Sequence, residues 1–376
     1  MRVAISGCAF ASPFGSDFDT FWQGLCQGPM PVATWHSEPN FPGLGCRLAA
    51  LPGADHQEAP GERTLALSID LGRQALASAG LIQAPRGTGL ALGSAWMEGD
   101  ILGVPPRPPG RSLLPAIAST LGLTGPITGT PIACASSNYA LAWAYDRLRA
   151  GDCQYMLAGG VDVAGPMAIG GYLYLDVMTD TVPRPFAVNQ DGFLLSEGGA
   201  FFLLEPLEQA RAAGRRVWGE IVGTGTGHDA SHPTRTAPDG RGLAFAMRRA
   251  LQEAGLSPDA IDYLNAHSPG TAANDAGEAA AIHAVFGSYR VPVSSTKGSH
   301  GHAQGGANAL EALACLLALR HQVAPPTLHV DQVAEALGLD VIVVPRPMVL
   351  QHVLSLASCM GGANAAVIFA RGDKWG

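Results

Sequence analysis

Seven cysteines, Cys8, Cys26, Cys46, Cys134, Cys153, Cys315 and Cys359, are scattered along 376 residues with no Cys-x-x-Cys pair. Thiols in that pattern are usually small buried apolar residues, so a chemical role has to be argued from the surroundings. Cys134 has such surroundings. It stands in Ile-Ala-Cys-Ala-Ser-Ser-Asn, between a short apolar run and the segment 138–149, where Leu141, Ala144 and Leu148 share one helical face. A thiol at a helix N-terminus meets the positive end of the macrodipole, which favours thiolate, and the backbone N–H groups there suit a developing oxyanion. His267 precedes Ser268-Pro269-Gly270-Thr271, and His302 ends the run Lys297-Gly-Ser-His-Gly301-His302. One histidine in a polar, glycine-rich turn is ordinarily structural. A cysteine, two histidines and a lysine, each in such a context, point to nucleophilic catalysis.

Other motifs carry less. His228-x-x-x-His232 and His300-x-His302 have ligand-like spacing but no evident third ligand, so no metal is expected. Gly223-x-Gly225-x-Gly227 lacks the spacing of a dinucleotide loop, and Ser294-Ser-Thr-Lys297 fits Ser-x-x-Lys without the companion motifs of a β-lactamase.

The elements that must position these residues follow an α/β rhythm. Short apolar runs such as Val3–Ser6, Gly89–Leu92, Tyr155–Ala158, Ala200–Leu204 and His352–Leu356 alternate with amphipathic segments. An internal echo is visible: Ala75-Leu-Ala-Ser-Ala-Gly-Leu81 and Ala250-Leu-Gln-Glu-Ala-Gly-Leu256 each place a glycine where a helix ends. The first is followed by an apolar strand and then by Cys134 feeding a helix; the second by Tyr263–His267, Val293–Lys297 and then His302 feeding a helix. The chain therefore reads as a duplicated fold, with halves at 1–210 and 211–376 and with Cys134 and His302 at equivalent helix entrances. The proline-rich stretch Gly103–Arg111 is expected to be an extended surface loop.

Composition sets the outer bounds. With 47% hydrophobic and 14% charged residues the chain can bury a large core. Its formal net charge of −8 argues against a general nucleic-acid binder. No apolar stretch is long enough to span a membrane, and the N-terminus reads as a first strand rather than a signal peptide, so a cytoplasmic protein is expected.

Taken together, Ala-Cys134-Ala-Ser-Ser, His267-x-x-Gly270-Thr271-x-x-x-Asp275-x-x-Glu278, Lys297-x-x-x-Gly301-His302 and Gly361-Gly362-x-Asn364 resemble, in order, the motifs of the β-ketoacyl-acyl carrier protein synthases. Arg184-Pro-Phe186, Asp191-Gly-Phe193 and Glu197-Gly-Gly extend the resemblance over nearly the whole chain. It implies a thiolase-like duplicated fold with α-β-α-β-α layers. It also implies decarboxylative Claisen condensation of an acyl group on Cys134 with a malonyl thioester, for fatty-acid or polyketide/polyene synthesis. Carried over by position, His267 and His302 promote decarboxylation, Lys297 orients them, Glu311 supports Lys297, and Cys134 and Met360 supply oxyanion N–H groups. Pro269 and Thr271 fall in the pantetheine loop. No cofactor bound by the chain is implied; the substrates ride on the phosphopantetheine of an acyl carrier protein. A homodimer is implied, or a heterodimer with a ketosynthase-like subunit.

The departures from the pattern leave alternatives. Pro269 replaces a threonine that contacts the carrier arm, and Ser358-Cys359-Met360 replaces an aromatic gate, with Cys359 at a glycine position and a possible extra chemical group. The segment between Trp96 and Ser112 is short for the family. A thiolase-like or non-elongating acyltransferase using Cys134, or one subunit of a heterodimer, are the other readings.

Overall fold

The first five strands of the large sheet are β1 (Val3–Ala11), β2 (Gly89–Gly93), β3 (Ile127–Thr130), β4 (Met156–Asp162) and β5 (Gly198–Pro206). The computed structural model describes residues 1–36, 45–56, 58–97 and 112–372; the expected loop at Gly103–Arg111 lies outside them. These strands stand in the order β3-β2-β4-β5-β1. In it β2 runs parallel to β3 and β4, while β5 is antiparallel to β4 and β1.

The remaining strands of the sheet are β6 (Gly219–His228), β7 (Tyr263–Asn265), β8 (Pro292–Ser294), β9 (Asp340–Val341), β10 (His352–Ser358) and β11 (Ala363–Ala370). They are arranged β9-β8-β7-β10-β11-β6. With β6, β7, β8, β10 and β11 matched in turn to β1 through β5, the order and every strand direction repeat, and β9 is an added edge. The half-sheets join where Val3–Ile5 of β1 pairs with Gly219–Ile221 of β6.

The helices that matter for the site are α1 (Pro60–Ser78), α2 (Leu113–Leu121), α3 (Ser136–Ala150), α4 (Pro166–Tyr174), α5 (Arg241–Ala254), α6 (Ala272–Phe286) and α7 (Ala307–His321). α1 and α2 cover one outer face, α5 and α6 the other, and α3 and α7 pack together between the half-sheets. The layers are α-β-α-β-α. As expected, Gly80 and Gly255 follow their helices at φ 74° and 66°, conformations that glycine adopts without a Cβ clash.

The two central helices differ in a way the sequence foreshadows. In α3, Leu141, Ala144 and Leu148 are buried and Arg147 and Arg149 lie in the last turn. In α7 every residue from Ala307 to Leu319 is buried, as befits a helix apolar on all sides. Glu311 is the only charged side chain in that run, and so needs a partner inside the protein. The N-terminus of α3 packs tightly on the strands: a Cβ on Gly93 or Gly160 would fall 2.5 Å from the Ser136 carbonyl carbon or 2.2 Å from Ser137 Oγ. That close approach sets the depth at which Cys134 sits.

Candidate active site

Cys134 is the middle residue of a single 3₁₀ turn, Ala133–Ala135, that leads directly into α3. Ala133 takes the left-handed conformation, φ 42°, which costs an L-residue about 1 kcal/mol and turns the chain sharply ahead of the thiol. The corresponding turn of the second half is Gln304–Gly306, with Gln304 at φ 52°. Cys134 therefore matches Gly305, and His302 lies three residues before its expected counterpart. Gly305 can carry no side chain: a Cβ there would be 2.4 Å from the Ala95 nitrogen and 2.6 Å from Asp162 Oδ2. Asp162 clamps this turn by accepting the Gly305 N–H at 2.6 Å and the Ala95 N–H at 2.8 Å.

His302 is held by the first half. Its N–H donates to Leu194 O at 2.8 Å, and its carbonyl accepts the Ser196 N–H at 3.1 Å. Its ring stands edge-on to Phe193, with centroids 5.0 Å apart. Nδ1 accepts the Gln304 N–H at 3.2 Å, so in the neutral ring the proton is on Nε2. His267 is anchored through its backbone N–H to Glu278 Oε1 at 2.8 Å, and Glu278 also accepts the Ser268 N–H at 2.7 Å.

Lys297 ties the second histidine to the core. Its Nζ is ion-paired with Glu311 Oε1 and donates to the His267 carbonyl at 2.5 Å. It lies 3.3 Å from His267 Nδ1, to which an ammonium can only donate, again leaving the ring proton on Nε2. Burial pushes the Glu311 carboxyl up, while Lys297 and the Asn308 amide, at 2.7 Å, pull it down. Burial and the Lys297 charge hold both His267 and His302 well below the ordinary imidazole value. Both rings are neutral, and each presents an Nε2–H donor.

One ligating atom from each of Cys134, His267 and His302 lies within 4.8 Å of the others. The same spacing would suit a metal, but protonated Nε2 atoms donate hydrogen bonds rather than ligate. All three residues line a cavity of about 300 Å³, which Pro269, Thr271, Cys359 and Met360 also line. The Cys134 and Met360 N–H groups have no acceptor among the described residues.

The thiol departs from expectation. Burial, with Cys359 adding to it, pushes the Cys134 thiol up to about 12 against the opposing pull of the Lys297 charge, which favours a thiol at rest. Cys359 also departs: its φ is not positive, and the left-handed positions of that turn are Gly361 (88°) and Gly362 (83°), so a side chain is tolerated at 359. Its thiol is likewise raised, to about 11.

Phe193 and Tyr172 are among the cavity residues with no assigned role in the sequence. Phe193 was legible only as part of a motif. Tyr172, near the end of α4, lines the same cavity as Cys134, and no spacing rule relates 134 to 172.

Residues 65–210 match the family described as "Beta-ketoacyl synthase, N-terminal domain", and residues 218–331 match "Beta-ketoacyl synthase, C-terminal domain". Nodulation protein E of Rhizobium meliloti is 33% identical over 404 residues, covering 98% of both chains. The 3-oxoacyl-[acyl-carrier-protein] synthase 2 of Coxiella burnetii is 31% identical, also covering 98% of both. Among solved structures, the ishigamide ketosynthase/chain length factor superposes with a TM-score of 0.88 at 27% identity, over 99% of each chain. A β-ketoacyl synthase from Burkholderia phymatum superposes with a TM-score of 0.87 at 29% identity, over 99% of each.

Proposed function

The chain belongs to the β-ketoacyl synthase family, and from that premise we propose how its own residues carry out the condensation. The enzyme joins an acyl group to malonyl-acyl carrier protein by decarboxylative Claisen condensation, in fatty-acid or polyketide synthesis. The observation that carries the assignment of residues is the cluster of Cys134, His267 and His302 in one cavity, with both imidazoles neutral.

In the first half-reaction Cys134 Sγ attacks the carbonyl of an acyl thioester, and the carrier leaves as its free thiol, taking up the proton that Cys134 loses. The exchange is proton-neutral overall, which suits a thiol that starts protonated. In the second, the malonyl thioester loses CO₂ and becomes an enolate. The Nε2–H groups of His267 and His302 converge on its oxygen, where charge appears only as the C–C bond to CO₂ breaks. The enolate carbon then attacks the acyl-Cys134 carbonyl. The oxyanion sits against the N–H groups of Cys134 and Met360, and collapse expels the Cys134 sulfur, which regains a proton. Lys297 and Glu311 act one step back by holding the His267 ring.

Substrates arrive on the phosphopantetheine of a carrier protein, past Pro269 and Thr271 at the cavity wall. The chain itself holds no cofactor in this reading. It works as a homodimer, or beside a homologous subunit, which native mass spectrometry with and without a co-expressed homologue separates. Among the described residues no helix is long and apolar enough to cross a membrane, and cytoplasmic placement is part of the proposal. CO₂ release from malonyl-carrier protein tests the assignment: His267→Ala and His302→Ala should each lower it by about 10²-fold or more. Release unchanged in both variants would remove the histidines from the decarboxylation step. A non-elongating acyltransferase would load Cys134 and release no CO₂.

A further inference from the structure

We propose that the Ser358 hydroxyl pairs with the amide of the pantetheine arm nearest the thioester, so that Cys134 takes acyl groups from thiols bearing that amide in preference to plain alkyl thiols. The inference rests on Cys134 being the acyl acceptor, and it names the residue that reads the carrier's arm at its sulfur end.

Ser358 closes β10, the strand whose Ser355 pairs with Asn265 of the parallel β7. β7 stops at Asn265 and the chain continues into His267 and Pro269, while β10 runs three residues past that pair to Ser358. The end of β10 therefore stands beside the turn that carries His267. On its other side Ser358 pairs with Asn364 of β11, whose Nδ2 donates to Asp229 Oδ1 at 2.8 Å and to the Gly362 carbonyl at 2.9 Å. Ser358 is only 1% exposed and lines the cavity with Cys134, His267 and His302, yet its Oγ has no hydrogen-bond partner among the described residues. The other hydroxyl-bearing residues of the cavity wall differ. Tyr172, Thr236 and Thr271 are half-buried, Thr234 is exposed, and the Thr236 hydroxyl donates to Asn274 Oδ1 at 3.0 Å. A buried hydroxyl without a partner is a standing cost to the folded protein, and a ligand that supplies the partner recovers it.

The substrate's other polar groups near the sulfur have their own partners. The acyl carbonyl meets the N–H groups of Cys134 and Met360, and the malonyl carbonyl meets the two imidazoles. The malonyl carboxylate leaves as CO₂, and a hydroxyl donating to it would hold its charge in the ground state and oppose that loss. The amide remains. Its nitrogen is three bonds from the sulfur in every phosphopantetheine thioester, so it follows the sulfur into the cavity whichever chain is carried. A hydroxyl both donates and accepts, and so can satisfy the N–H or the C=O of that amide. Pro269, in the neighbouring turn, brings neither a hydroxyl nor an N–H to the same wall, which leaves Ser358 as the enclosed hydroxyl there.

The test uses the full-length enzyme and two thioesters of similar length. Hexanoyl-N-acetylcysteamine carries that one amide and nothing beyond it; the hexanoyl thioester of pentanethiol lacks it. Cys134 loading is followed by intact mass against time in wild type and in Ser358→Ala. Dividing the amide-to-alkyl rate ratio of one protein by that of the other cancels the different reactivities of the two thiols. The ratio should fall by about 5- to 30-fold in Ser358→Ala, with the alkyl thioester loading within about 2-fold of wild type. The denaturant midpoint should not fall, since no bond within the protein is lost. The same variant should lower CO₂ release from malonyl-N-acetylcysteamine by a similar factor. An unchanged ratio, or a loss confined to CO₂ release, would overturn the proposal and leave the acyl-acceptor reading standing. A lowered midpoint would do the same, by giving the hydroxyl a structural partner. No loading of wild type by either thioester would overturn both.

Discussion

Ala133 and Gln304 occupy the same point in the two halves of the molecule: each opens a 3₁₀ turn at positive φ, 42° and 52°, immediately ahead of a central helix. Only the first of these turns has room for a side chain at its middle position, where Cys134 stands; the second has Gly305. Duplication supplied two equivalent turns, and packing reserved one of them for the thiol. Replacing Ala133 with glycine should raise unfolding stability by about 1 kcal/mol, and valine should lower it by more than that, both read from denaturant midpoints. Gly305→Ala should be more disruptive than either, because backbone and Asp162 atoms occupy the space a methyl would need.

A thiol pushed up to about 12 by burial behaves differently from one ionised by a helix dipole. Alkylation of Cys134 by iodoacetamide, corrected with Cys134→Ala, should accelerate close to 10-fold per pH unit from pH 7 to pH 9, following the thiolate fraction. A rate that is already level above pH 7 would show that the dipole prevails.

The buried ion pair of Lys297 and Glu311 joins the His267 turn to α7. Glu311→Ala strands a charged lysine in the core and should cost about 3–5 kcal/mol, whereas the double variant Lys297→Met/Glu311→Leu should recover most of that loss. Lys297 also depresses the His267 value, second to burial. In Lys297→Met the His267 imidazole should titrate closer to its ordinary value, upward from wild type, as read from its ring proton resonances by NMR.

Pro269 lines the cavity where the carrier arm would pass, and proline brings neither a hydroxyl nor an N–H. Pro269→Thr should lower KM for acyl-carrier substrates by about 3- to 10-fold, the worth of one hydrogen bond, with little change for short thioesters that lack the arm. An equal effect on both substrate kinds would assign the change to loop conformation.

Much of this was legible in the chain itself. The glycines at 80 and 255 marked matching helix ends because a left-handed residue leaves a signature in composition. Cys134, His267, Lys297, His302 and Glu311 were recognisable by order and context, and the cavity brings in Pro269, Thr271, Cys359 and Met360. What escaped depends on three-dimensional packing. The three-residue offset between Cys134 and His302 follows from the turns, not from the helices that the repeat revealed. The state of the thiol follows from desolvation, which no local motif encodes. The proton positions on the two imidazoles follow from partners at Gln304 and Lys297. Tyr172 lines the cavity beside Cys134 through the placement of α4, which no local motif announces.

The central claim is that Cys134 carries the acyl group that the two histidines help to extend. Intact-protein mass spectrometry after mixing with acyl-carrier protein, then with malonyl-carrier protein, tests it most directly. Wild type, His267→Ala and His302→Ala should each gain the mass of one acyl group, Cys134→Ala should gain none, and malonyl-carrier protein should discharge the adduct in wild type alone. An adduct that persists in Cys134→Ala, or that the histidine variants discharge as readily as wild type, would contradict the account.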